Sequence, residues 1–500
     1  MSRQGYDRLA PSLGDLTEGY EAGRPQLVYR RVLGDLETPL SAYLKLTGDE
    51  EGSFLLESVE GGEQLGRYST IGLAPDLIWS CKDGEAVTCD GSGKVLRTEG
   101  DAPAALRRLI AENEADRPEE GELPPMASGL FGFFSYDFVR YAEHLPNKPE
   151  DLLGLPDAYL IRPAVVATFD SVRRELVLVA TLRPDGGKPL ADAYAEADIR
   201  LNDLLEKLRA PLDLAEPSPE EDVSFRAMTK PEDYLSVVER GKEYIVAGDV
   251  FQVVLSQRYE AEFSGRPLDA YRQLRRINPS PFLFYLNFGP ATLLGASPEI
   301  LVRVREGEVT IRPIAGTRPR GKTPAEDKAL EAELLADEKE RAEHLMLLDL
   351  GRNDVGRSSK LGTVKPTETF VIERFSHVMH ITSNVTGELR DDLTPLDAMM
   401  NGFPAGTLTG APKIRAMEII DELEPSARGP YAGAIGYFGA DGEFDSCIGL
   451  RMAVVKDSRV YVQAGAGIVH DSDPQAELAE CEAKSAAIKE AFVLAGKGLG

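Results

Sequence analysis

The run GAIGYFGADGEFDSCIGLRMAVVKDSRVYVQAGAGIV, Gly433–Val469, decides the fold class. It holds three strand-like stretches, GAIGYFGA, CIGLRMAVV and VYVQAGAGIV, with only short polar turns between them. Behind it a final helix is expected from about Asp473 to Ala495. Ahead of it the runs LFYLNF, ATLLGAS and GEVTIRPIAG are followed by a helical tract, Ala325–Asp354, and a helix opens at Thr229 with the entry signal Thr-Lys-Pro-Glu. Strands thus follow strands without regular βαβ alternation, which points to an α+β protein. Further out, Leu27 to about Leu182 is rich in short β-type runs such as SFLLESV, LIWSC, GLFGFFSYDFV and ELVLVATL. A helical stretch from about Ala191 to Leu208 follows. Four regions are expected: a polar N-terminal segment 1–25, an N-terminal region 26–209, a Pro- and acid-rich linker 210–224, and a C-terminal region 225–500.

The chain has 500 residues and a net charge of −27. Such acidity argues against non-specific binding to nucleic acid or anionic lipid, because phosphate is repelled. It leaves an anionic small molecule open, since a divalent cation or a few arginines can invert the field locally. None of the four cysteines, Cys81, Cys89, Cys447 and Cys481, forms a CxxC pair, so a zinc cluster or redox dithiol is not indicated. The N-terminus lacks the apolar core of a signal peptide, and no segment approaches the roughly 20 apolar residues that span a bilayer. A soluble, cytoplasmic protein is expected.

Several features could carry chemistry. Glu340 and Glu343 lie three apart on one expected helix, and Glu477 and Glu480 three apart on another. Each pair therefore shares a helical face. Two such faces across a cleft suit a hard cation that prefers oxygen ligands; in so acidic a chain such a pair is normally just a solvated face. His380, in the apolar setting VMHI three residues after His377, reads either as a core histidine or as an acid–base group. Three glycine-rich stretches, IAGTRPRG, FPAGTLTGAPK and AGAGIV, allow close approach to backbone N–H groups, or are merely turns. None has the spacing of a dinucleotide fingerprint or a P-loop. Arg451, inside the apolar run CIGLRMAVV, calls for a carboxylate partner, from the protein or from a substrate.

Taken in order, IRPIAGTRPRG, AEHLMLLDLGRND, SHVMHITSNVTG, FPAGTLTGAPKIRAMEII, YAGAIGYF and AGAGIVHDSDPQAE resemble the chorismate-utilising enzymes, over about Glu232 to Phe492. LLESVEGGEQLGRYSTIG, Leu55–Gly72, resembles the N-terminal region of the anthranilate synthase large-subunit family. The resemblance implies two domains of packed antiparallel sheets wrapped by helices, with the site in a deep cleft. It implies Mg2+ as cofactor, with Glu343 and Glu480 as ligands and Glu340 and Glu477 nearby, directly or through water. Implied chorismate contacts are Gly316, Thr317, Tyr431, Arg451, Lys484, Gln252 and the backbone of Gly465, Ala466 and Gly467. His380 and Glu299 are implied in proton transfer, with Thr407 lining the same site.

Two positions separate the relatives. Aminodeoxychorismate synthases typically read PIKGT, with a nucleophilic lysine; here Ala315 stands in PIAGT. Isochorismate and salicylate synthases use a lysine to activate water; here Gln252 occupies the position. Both departures imply ammonia as nucleophile, and anthranilate and pyruvate as products. No Gly-x-Cys-x-Gly turn surrounds any cysteine, so ammonia from glutamine implies a separate amidotransferase subunit. Glu57 and Ser58 in LLES, with Pro281, Phe282 and Leu283 in NPSPFLF, resemble a feedback site for L-tryptophan; Ser58 is otherwise a strand-end cap. Two other readings stay open: an enzyme that stops at aminodeoxyisochorismate, and a catalytically silent tryptophan-binding regulator.

Overall fold

The computed structural model describes residues 8–60, 64–118, 123–213, 220–375 and 378–498. Two antiparallel sheets share a pair of long strands, Tyr68–Lys82 and Ala158–Asp170. The first sheet runs from Gln26–Leu33 through Glu175–Leu182, this shared pair, Ser53–Glu57, Phe282–Phe288, Ala291–Ser297, Met452–Lys456 and Arg459–Ile468 to Gln252–Glu262. The second leaves the shared pair through Gly129–Phe134, Ala434–Gly439, Phe444–Ile448, Ile300–Arg305 and Glu308–Ile311. It ends at Val378–Glu388, which is flanked by Ile314–Pro319 and Lys365–Arg374. The register of the shared pair slips between Pro75 and Leu77. Proline has no N–H to give the ladder, so the ribbon bends there and passes from one sheet to the other.

The inner faces of the sheets meet in one apolar cluster. Phe54, Phe284 and Leu293 from the first sheet join Phe131, Ile435 and Tyr437 from the second. Phe54 stacks on Phe131 with ring centroids 4.6 Å apart, and Phe131 on Tyr437 at 5.5 Å. Helices cover the outer faces: Leu190–Arg209, Pro267–Ile277 and Pro474–Gly496 on the first sheet, and Ala102–Asn113, Glu338–Ser358 and Pro395–Gly402 on the second. Ala102–Asn113 shows the logic. Asp101 caps it by accepting the Ala104 N–H, and Ala102, Ala105, Leu106 and Leu109 are buried at helical spacing. The α+β sandwich expected from the sequence is the architecture found.

Several local expectations change. CIGLRMAVV is not one strand. Phe444–Ile448 belongs to the second sheet and Met452–Lys456 to the first. Gly449–Arg451 is the crossover, with Arg451 at a left-handed φ of 51°. AGAGIV makes no turn: it ends the strand Arg459–Ile468, in keeping with the strand-like reading of VYVQAGAGIV. The tract Ala325–Asp354 is two helices, Pro324–Ala336 and Glu338–Ser358, because Asp337 caps the second by accepting the Lys339 and Glu340 N–H groups. Within residues 8–25 lies a helix, Leu13–Glu21, with Leu16 and Tyr20 buried. Each sheet takes strands from both sides of segment 210–224. No helix among the described residues is long and apolar enough to cross a membrane.

Candidate functional site

The strand Ile314–Pro319 pairs with Val378–Glu388 so that Thr317 stands opposite His380, with a bulge between Ala315 and Thr317. Gly316 takes up the bulge at φ +69°, a conformation that costs glycine least. His380 Nδ1 lies 3.0 Å from the Gly316 carbonyl and 3.0 Å from Thr317 Oγ1. A carbonyl can only accept, so the network assigns the ring proton to Nδ1 and leaves Nε2 as an acceptor. Burial pushes the imidazole down to about 4, helped by the Arg451 and Lys484 cations and opposed by the Gly316 bond. The ring is therefore neutral at pH 7. His377 lies outside the described residues.

Glu299 is buried, 7% exposed. Thr407, on a short helix Gly406–Thr409 that the sequence reading missed, donates to Glu299 Oε1 at 3.1 Å. The Ile314 N–H adds a second bond. Burial outweighs both and pushes the carboxyl up to about 8, so it keeps its proton at neutral pH.

Four glutamates gather from two helices. Burial raises the Glu343 carboxyl, and the negative charges of Glu340 and Glu480 raise it further, while the Gln252 amide holds its Oε1 at 3.1 Å. Burial likewise raises Glu477, with Glu480 adding to it. Cations hold the other two: Lys484 Nζ is 2.6 Å from Glu480, and Arg318 Nη1 is 3.2 Å from Glu340. Among the described residues no three such side chains converge closely enough to hold an ion as they stand. In chemistry the set fits a hard cation: every donor is oxygen, and the mutual repulsion of Glu340, Glu343 and Glu480 is what a divalent charge relieves.

Beside Glu480 stand two cations, Lys484, which pairs with it, and Arg451, which feels its charge. The only described hydrogen bond of the Arg451 guanidinium is to the Lys484 carbonyl at 3.2 Å, and no carboxylate pairs with it among the described residues. The protein salt bridge left open by the sequence is therefore not found. Tyr431 is 5% exposed. Its hydroxyl fills the space over Gly465, where a Cβ would sit 2.9 Å from it. A Cβ on Gly467 would meet the Gln252 amide at 2.5 Å. The strand Arg459–Ile468 pairs with Gln252–Glu262 along its length but with Met452–Lys456 only to Val462. Past that point the outer backbone edge, Gly465–Gly467, has no strand partner among the described residues; Lys484 Nζ reaches the Gly465 carbonyl at 3.0 Å. At the start of the helix Lys413–Leu423, the Lys413 side chain pairs with Asp354 at 2.8 Å, and no side chain caps the helix.

Glu57, Ser58, Pro281, Phe282 and Leu283 line one cavity of about 670 Å3, which neither His380, Glu299, Arg451 nor the four glutamates line. Leu283 and Glu57 are direct partners across the strand pair Phe282–Phe288 and Ser53–Glu57. Glu57 accepts from the Tyr271 hydroxyl at 2.8 Å and from Arg275 at 2.8 Å. Pro298, Ile300 and Ile314 also line this cavity, so its wall abuts the segments that carry Glu299 and Gly316.

Residues 71–490 match the family described as chorismate binding enzyme. The chain is 52% identical to anthranilate synthase component 1 of Cereibacter sphaeroides, over 97% of this chain and 98% of that one. It is 47% identical to the protein of the same name from Pseudomonas aeruginosa, over 99% of each. The crystal structure of anthranilate synthase component I from Streptococcus pneumoniae superposes with a TM-score of 0.76 at 38% identity, over 92% of this chain and 98% of that one. A menaquinone-specific isochorismate synthase from Escherichia coli shares the fold, with a TM-score of 0.70 at 18% identity, over 96% of this chain and 98% of that one. The chain belongs to the chorismate-binding enzyme family, among its anthranilate synthase component 1 proteins.

Proposed function

We propose that this chain, acting in the cytoplasm, converts chorismate and ammonia into anthranilate, pyruvate and water, the first step towards tryptophan. Ammonia adds at C2 as the C4 hydroxyl leaves; loss of the C2 proton then expels pyruvate and restores the aromatic ring. The observation that carries this reading is a pair of opposite protonation states. Glu299 holds a proton at pH 7 and His380 does not. Glu299 protonates the departing hydroxyl, and His380 Nε2 takes the ring proton. Arg451 and Tyr431 hold the enolpyruvyl carboxylate, and the open edge at Gly465–Gly467 receives the rest of the substrate. Thr317 and Lys484 border the same space.

Glu343 and Glu480, with Glu340 and Glu477, would hold Mg2+. When bound, the ion supplies positive charge beside the ring carboxylate and relieves the repulsion among these glutamates. Ala315 and Gln252 offer neither a nucleophile nor a base for water, which favours ammonia. A separate glutamine amidotransferase subunit supplies that ammonia. The cavity between Glu57, Ser58 and Leu283 takes L-tryptophan as a feedback inhibitor. The test is the purified chain with chorismate, ammonium and Mg2+, followed by anthranilate fluorescence and pyruvate release. Equal yields of both are expected. Chorismate consumed without either product identifies an enzyme that stops at aminodeoxyisochorismate, and no consumption identifies a silent scaffold.

A further inference from the structure

Arg428 is 2% exposed, yet every described hydrogen bond of its guanidinium ends on a different part of the site wall or on one buried carboxylate. Nη1 donates to the Leu408 carbonyl at 2.7 Å, on the short helix that carries Thr407. Nη2 donates to the Val254 carbonyl at 2.8 Å, and Val254 stands opposite Gly467 in the strand pairing. Nε and Nη2 grip the two oxygens of Glu424 at 2.9 and 2.6 Å. Glu424 in turn accepts from the Ser256 N–H at 2.8 Å and hydroxyl at 2.7 Å, and Ser256 stands opposite Gly465. The guanidinium also lies over the rings of Tyr136 and Tyr431, at 5.0 and 5.6 Å from their centroids. A buried ion pair is a poor source of stability, because desolvation offsets most of the attraction. What this one supplies is a fixed relation among three pieces of chain.

We propose that Arg428 is the positioning residue of this site: one guanidinium fixes the Thr407 helix, the Tyr431 ring and the Gly465–Gly467 backbone relative to one another. The proposal rests on the functional reading above, in which those three groups act on one substrate. It has a consequence that a merely structural ion pair lacks. If Arg428 lets go of Leu408, Thr407 moves away from Glu299. That bond favours the ionised carboxyl, so its loss raises the pH at which Glu299 gives up its proton.

The experiment is R428K, which keeps the charge but not the planar fork. Anthranilate formation is measured against pH, with Tm measured alongside. In folded protein, turnover falls roughly 10- to 100-fold, and the alkaline limb of kcat moves to higher pH. With T407V already present, R428K no longer moves that limb. Folded R428K with wild-type turnover overturns the proposal, as does a loss of turnover with the limb in place. Should R428K not fold, S256A removes the hydroxyl that donates to Glu424 and accepts from Gln463, and leaves the backbone N–H bond to Glu424 in place. In protein that still folds it is expected to lower turnover roughly two- to tenfold, with a small fall in Tm from the lost buried bonds, and wild-type turnover overturns the proposal. A wild-type chain that makes no anthranilate defeats the functional reading instead, so the two failures are distinguishable.

Discussion

Replacing Glu299 by glutamine separates two effects that ordinary active-site mutations confound. The side chain keeps its size and its oxygen can still accept from Thr407, but it has no proton to give and none to lose. General-acid catalysis contributes roughly 10²- to 10⁴-fold, so turnover of chorismate to anthranilate falls by that order. Stability moves the other way. Burial lifts the carboxyl from its ordinary 4.5 to about 8. Between those values the unfolded chain has lost the proton and the folded chain has kept it, so wild-type stability declines as pH rises from about 4.5 to about 8 and then levels off. At 1.36 kcal/mol per pH unit this reaches a ceiling of about 5 kcal/mol. E299Q carries no such term. Urea unfolding at pH 5, 7 and 9 is therefore expected to show the variant gaining on the wild type by a few kcal/mol across the series. The wild-type rate is also expected to fall above about pH 8, a limb that the residual rate of E299Q lacks. Parallel stability profiles for the two proteins, or turnover within a few-fold of wild type, would refute the assignment of a neutral buried acid.

Other outcomes are as definite. H380A should lose roughly 10²- to 10⁴-fold in turnover. Because His380 is held down to about 4 while the unfolded ring titrates near 6.5, the wild type should lose stability as pH falls through that window and H380A should lose less; equal slopes in acid unfolding would count against a buried neutral imidazole. Chelation with EDTA should abolish turnover and Mg2+ should restore it, whereas E343Q and E480Q should demand far more Mg2+ in a titration of rate; activity indifferent to EDTA would remove the metal from the scheme. E57Q should weaken tryptophan binding roughly 10- to 100-fold by calorimetry, with the uninhibited rate retained; unchanged affinity would place the inhibitor elsewhere. Glutamine alone should support no turnover by the isolated chain, so robust glutamine-dependent product would contradict the need for a partner.

Much of this was legible from residue patterns. The lack of βαβ alternation led to the α+β architecture found, and the spacing of Glu340 and Glu343 put both on the helix Glu338–Ser358, whereas the roles of these glutamates and of His380 came only from the family resemblance. What stayed hidden shares one physical cause: the sandwich buries its strands on both faces and changes sheets inside apolar runs. CIGLRMAVV reads as one strand because both of its flanks are apolar, yet the chain leaves one sheet and enters the other at Gly449–Arg451. That crossover, not a strand position, is what aims Arg451. Gln252–Glu262 hides its location in the opposite way. Gln252, Ser256, Gln257, Arg258 and Glu260 are polar yet buried, since they meet other polar side chains inside. Arg428 and Glu424, four apart, look like a common surface pair; only the tertiary fold shows them enclosed between two tyrosine rings and a strand.

The partnership of Leu283 with Glu57 has a consequence for how the chain comes into being. Sheet neighbours here wait for each other across more than two hundred residues of polypeptide. During synthesis the amino-terminal strands emerge long before the segments that flank them, so neither sheet can close until most of the chain has left the ribosome. Folding should therefore be slow. A nick in either half should be felt in the other, and an amino acid seated at that seam should hold the two halves together against heat and protease.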